Sequence, residues 1–143
     1  MRELKEFEEF LKKGIVKKQT PDEARAKDLN EEAERKFGSL NMILDKIGLS
    51  DENANDIIEI CYDIVSYLIR AKMLLRGYSS SGAGAHEAEV AYLKTLNFSE
   101  EDVRFVNQLR YFRNGIMYYG KRFDKEYAEK VIDFMKKVRE RLK

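Results

Sequence analysis

Apolar residues return at steps of three and four along almost the whole chain, and that rhythm predicts helices throughout. The first long stripe runs through Ala26, Leu29, Ala33, Phe37, Leu40, Ile43, Leu44 and Ile47. Ahead of it, Thr20-Pro21-Asp22-Glu23 reads as a helix start, with a capping threonine, proline at the first helical position and glutamate three residues after the cap. Gly48 ends the run. Ser50 can cap a second long helix, whose stripe is Ala54, Ile57, Ile58, Cys61, Ile64, Val65 and Leu68 and which Arg76-Gly77 closes. The small-residue stretch 77–85 is too short for an interdomain linker and predicts a connection within one domain. A short helix is expected over about His86–Leu96. Ser99 then caps a helix that opens with Glu100-Glu101-Asp102 at the positive end of its dipole and turns Val103, Val106, Leu109, Phe112 and Ile116 inward. Gly120 and Asp124 mark a break and a fresh cap before a last stripe of Ala128, Val131, Met135, Val138 and Leu142. No alternating pattern predicts a strand. At the start of the chain, Leu4, Phe7, Phe10 and Leu11 predict a short helix, Glu3–Lys13, packed against the bundle or a neighbouring chain. The expectation is one all-α domain over residues 1–143, with an N-terminal extension (1–19) and a helical bundle (20–142).

Size and composition fit that expectation. A chain of 143 residues can bury about 70% of the surface its unfolded form exposes. Charged residues make up 37% of it, and no run approaches the ~20 apolar residues of a membrane span. The first six residues do not resemble a signal peptide, and Glu3, Glu6, Glu8 and Glu9 argue against docking on an anionic membrane. The protein is expected to be cytoplasmic. Its single cysteine, Cys61, excludes an intramolecular disulfide and falls on a core stripe. One cysteine and one histidine do not make a zinc site, Glu-x-x-His pairs are missing for a di-metal bundle, and Gly82-Ala83-Gly84 lacks the Gly-Lys-Ser/Thr of a phosphate loop. No metal or cofactor is expected.

Charge changes the picture. Residues 1–103 hold 15 basic and 21 acidic groups, whereas residues 104–143 hold 12 basic and 5 acidic. A net charge of +1 therefore hides a basic C-terminal part, suited to a polyanion or an acidic partner face. Its centre is the run Leu109-Arg110-Tyr111-Phe112-Arg113-Asn114-Gly115-Ile116-Met117-Tyr118-Tyr119-Gly120. On an ideal helix Arg110, Arg113, Asn114, Met117 and Lys121 share one face. Guanidinium offers five donors in a fixed fork that suits phosphate. Interleaved aromatics such as Tyr111 and Tyr118 can stack the bases of single-stranded nucleic acid. The alternative is structural, with Arg110 and Arg113 paired to acids such as Asp63 or Glu59 on neighbouring helices.

A set of motifs in order resembles the HEPN family. It comprises Asn53-Ala54-Asn55-Asp56 through Cys61-Tyr62-Asp63-Ile64, then Lys72-Met73-Leu74-Leu75-Arg76-Gly77-Tyr78, the small-residue loop, His86-Glu87-Ala88 and the late Arg113-Asn114 helix. The likeness spans about residues 20–142. The opening Phe10-Leu11-Lys12-Lys13-Gly14-Ile15-Val16 and the run from Arg113 to Lys121 are similar to an archaeal branch of that family. The resemblance implies an up-and-down bundle of four core helices that forms a homodimer, often encoded beside a minimal nucleotidyltransferase as a toxin-antitoxin pair. Its catalytic members are metal-independent ribonucleases with an arginine followed, after four to six residues, by a histidine. Arg113 matches that arginine and Asn114 the polar residue after it, but the histidine position holds Tyr118. Tyrosine, with a pKa near 10, is a poor general base at neutral pH. Together, the charge asymmetry, the helical stripe and the resemblance lead to the expectation of RNA or nucleotide phosphate binding through Arg110, Arg113, Asn114 and Lys121, without cleavage. The alternatives are a purely structural or partner-binding dimerisation module, and a ribonuclease using Arg113 and Tyr118. His86, which matches the family's usual histidine at that place, and Tyr119 are candidate supporting residues; a packing or loop-capping role for His86 is the stronger expectation.

Overall fold

The computed structural model describes residues 3–142. Six α-helices follow one another: α1 (Phe7–Lys12), α2 (Glu23–Lys46), α3 (Ala54–Leu75), α4 (Ala85–Tyr92), α5 (Glu100–Tyr119) and α6 (Lys125–Leu142). The bundle forms around α3, which packs against α2, α4, α5 and α6. Its composition explains the position: Ile57, Ile58, Cys61, Ile64, Val65, Leu68, Ile69 and Met73 cover more than one face and are all buried, the pattern of a helix surrounded by partners. The longer outer helices bury one stripe each, such as Val131, Met135 and Val138 of α6.

Several predicted boundaries shift where other hydrogen bonds or turns take the place of the expected signals. α2 begins at Glu23, and its cap is Asp22, which accepts from the Arg25 N–H at 3.0 Å. Thr20 is not the cap because residues 19–22 are held to the end of α3: the Gln19 N–H donates to the Gly77 carbonyl and the Asp22 N–H to that of Leu74. Ser50 likewise gives way to Asn53 as the residue preceding α3; the Ser50 N–H donates to the Asn53 side chain at 2.9 Å, building a turn rather than a cap. The helix expected over His86–Leu96 divides into α4 and a 3₁₀ turn, Leu93–Leu96, which ends in left-handed Asn97. Ser99 caps α5 as its sequence predicts, accepting from the Asp102 N–H at 3.1 Å.

A two-stranded antiparallel ribbon joins β1 (Val16–Lys18) to β2 (Tyr78–Ser80), pairing Val16 with Ser80 and Lys18 with Tyr78. No strand was expected, since three-residue strands are too short to show alternation. This ribbon fastens the N-terminal segment to the bundle, and Phe7 completes the attachment by packing edge-on against Tyr78 and Tyr92 at 5.3 and 4.8 Å. α1 spans only Phe7–Lys12 of the predicted Glu3–Lys13 and packs on the protein's own core.

Candidate functional site

The second half of α5 carries the site. Up to Leu109 the helix is anchored by buried Val103, Val106 and Leu109; beyond it Phe112 and Ile116 are only half-buried. Tyr111, Met117, Tyr118 and Tyr119 are exposed, the last two at 72% and 82%. Large apolar and aromatic groups thus stand in solvent beside the arginines. α5 ends at Tyr119, and Gly120 adopts φ +64° as its C-cap. That left-handed residue turns the chain so that the Lys121 N–H donates back to the Gly115 carbonyl at 3.2 Å. Lys121 therefore lies beyond the helix and joins the site by a turn rather than by helical spacing.

The connection to α6 is clamped from below. Asn55 donates its amide to the Lys121 carbonyl at 2.7 Å and accepts from the Phe123 N–H at 2.9 Å, while Asp51 accepts from the Lys125 N–H at 2.8 Å. These residues of the α2–α3 turn and the start of α3 fix where Lys121 sits.

The predicted stripe divides between two surroundings. Arg110 and Asn114 line a cleft of about 380 Å³ with Glu3, Leu4, Glu87, Asn107 and Tyr111. Within it Arg110 donates Nε–H to the Asn107 side chain at 3.0 Å and stands 3.9 Å from Glu87. Arg113 turns toward α3. Its Nη2 lies 3.2 Å from Asp63 Oδ1, its Nη1 donates to Met117 Sδ at 3.0 Å, and its guanidinium lies 5.6 Å from the centre of the Tyr62 ring. Its Nε is buried and has no hydrogen-bond partner. Asp63, not Glu59, is thus the acid facing Arg113.

Two other arginines show what full pairing looks like in this protein. Arg139 grips Glu34 through Nε and Nη2 at 3.0 and 2.8 Å. Arg70 grips Glu89 through the same two nitrogens at 3.1 and 2.9 Å, with Ser66 bonded to both side chains. Arg113 uses only one prong of that fork on its carboxylate. A buried donor without a partner destabilises its surroundings by about 1–3 kcal/mol, so Asp63 is an incomplete partner for Arg113.

His86 is exposed, 3.7 Å from Glu89 and 6.4 Å from the Tyr62 ring. Tyr62 thus neighbours both His86 and Arg113. Burial and the nearby Glu89 carboxylate push the Tyr62 phenol well above its usual range, with Arg110, Arg113 and Arg70 opposing. Sequence reasoning missed Lys36, whose ammonium lies 3.7 Å from Asp63 Oδ2, and the pairing of Arg70 with buried Glu89. Neither stood out in the sequence: Arg70 has Lys72 two residues on, Glu89 has Glu87 two residues before, and Lys36 lies amid the charged Glu31–Lys36 segment.

Among the described residues no three His, Cys, Asp or Glu side chains converge as a metal site, and no helix is long and apolar enough to cross a membrane. Comparison with protein-family models finds a match to the HEPN domain over residues 26–143. No curated protein and no solved structure matches the chain.

Proposed function

The chain belongs to the HEPN domain family, and from that premise we propose that it binds the phosphates of single-stranded RNA or of nucleotides as a homodimer without cleaving them. The observation that carries this reading is the half-used fork of Arg113, a quarter-exposed guanidinium whose carboxylate partner leaves Nε unsatisfied. Phosphate offers more acceptor directions than a carboxylate held on one side, and charge-assisted bonds to it are among the stronger ones. Asn114 is exposed near the end of α5 and exposed Lys121 follows in the turn beyond it, while Arg110 shares its cleft with Asn114. Exposed Tyr111, Tyr118 and Tyr119 supply faces on which bases can stack.

Tyr118 occupies the place where catalytic members of the family carry histidine, which favours binding over cleavage. The basic C-terminal part would face an acidic partner, and a minimal nucleotidyltransferase is the partner the family suggests. Filter binding of a single-stranded RNA at low and high salt tests the reading. Binding that weakens with salt supports it, and no binding at low salt discards it. Arg113→Ala, examined by sedimentation, separates the alternative of a pure dimerisation module: under phosphate binding the dimer survives, whereas an arginine that holds the dimer together would release monomers.

A further inference from the structure

A single carboxylate stands between two cations from two different helices. Asp63 of α3 places Oδ1 3.2 Å from Arg113 of α5 and Oδ2 3.7 Å from Lys36 of α2. The three side chains are about equally open to solvent, at 22% for Lys36, 25% for Asp63 and 24% for Arg113; the contrast with Arg70–Glu89 lies in the carboxylate, since Glu89 is 3% exposed. The cluster carries one surplus positive charge within reach of solvent. Glu32, the acid one turn before Lys36, is already held by Arg35 through two hydrogen bonds.

Resting on the phosphate reading above, we propose that Lys36 is a second ligand for the phosphate that Arg113 takes, and that Asp63 holds that phosphate's place until it arrives. The geometry separates this cluster from the structural pairs. At 3.7 Å the Lys36 ammonium is attracted to Asp63 but lies too far for a hydrogen bond, so it can turn to another anion at little cost. Arg113 offers Asp63 one prong of the Nε/Nη2 edge and leaves the other buried and unpaired. A phosphodiester has two non-bridging oxygens. When Asp63 swings aside, one oxygen can span the Arg113 edge and the other can face Lys36, and the departing carboxylate is taken up by water. One anion replaces another between the same two cations.

The test is a titration of fluorescently labelled single-stranded RNA by anisotropy over a range of salt, with wild type, Lys36→Gln, Lys36→Arg and Asp63→Asn. Each phosphate contact on a single strand contributes about 0.7 to the slope of log affinity against log salt. Lys36→Gln is expected to lose about that much slope and several-fold in affinity, and Lys36→Arg to restore both. Asp63→Asn, which removes the competing charge, is expected to bind several-fold more tightly at low salt. Salt-dependent binding by wild type with an unchanged slope in Lys36→Gln overturns this inference and leaves the Arg113 reading standing. Weaker binding by Asp63→Asn overturns the place-holding role. Absence of salt-dependent binding in wild type discards the Arg113 reading and this inference together.

Discussion

Three arginines of similar appearance in the sequence have different pairing in the fold. Arg70 and Arg139 each close a fork on a glutamate, and Arg113 does not. The difference cannot be read from spacing, because it depends on which acid the neighbouring helix presents and at what height. The sequence does mark α5 as unusual, since guanidinium groups interrupt an apolar stripe. It is silent on Lys36, which reaches Asp63 only through the packing of α2 on α3. The Arg70–Glu89 pair is the costliest to break, because Glu89 is buried and depends on Arg70 and Ser66. Arg70→Met should lower the unfolding free energy by roughly 3–5 kcal/mol in urea denaturation. At Cys61 the core stripe was legible, and burial pushes the thiol up to about 12 from its usual 9.0. The native state then keeps its proton where the unfolded chain loses it. This contribution leaves stability unchanged below about pH 9 and lowers it progressively as the pH rises from there toward 12. Thermal melts across that interval should show the decline, and replacement of Cys61 by Ala should reduce its steepness.

At the scale of elements, the periodic stripes located all the long helices, because each buries a face wide enough to leave a 3.6-residue signature. Local start signals fared differently. Ser99 caps α5 where nothing else competes, whereas Thr20 gives way to Asp22 because the end of α3 claims the backbone of residues 19–22, and Ser50 gives way to Asn53 because its own N–H turns onto the Asn53 side chain. The β1–β2 ribbon was invisible for a related reason: it is made by pairing across the fold and not by any pattern in three residues. Gly77, at the end of α3, shows how tight that junction is. Its φ is +82°, and a Cβ there would lie 2.6 Å from the Gln19 carbonyl oxygen. Gly77→Ala combines left-handed strain with a backbone clash, so it should cost about 1–3 kcal/mol, visible as a lower denaturation midpoint. A second alanine substitution probes the site's scaffold. Asn55→Ala removes both bonds that hold the turn around Lys121 and Phe123, and amide exchange in residues 120–125 should accelerate.

On the scale of the whole molecule, an acidic N-terminal part and a basic C-terminal part form a single bundle around α3, and the exposed end of α5 carries its aromatic and cationic groups together. Fold class was legible because helical periodicity and the ordered motifs agree. The candidate site was legible only as one segment. Folding adds α2 and α3 to it, and turns Arg110 and Arg113 toward different surroundings. The account rests on Arg113 being available to a phosphate rather than spent on holding helices together. The most direct measurement is the affinity of wild type and Arg113→Gln for one single-stranded RNA at about 50 and 200 mM salt, with unfolding midpoints recorded alongside. The account predicts that Arg113→Gln binds more weakly at low salt, loses about 0.7 of the salt slope and unfolds within about 1 kcal/mol of wild type. Equal affinity and slope in the two proteins, or a variant that binds as wild type does but unfolds far more easily, would contradict it.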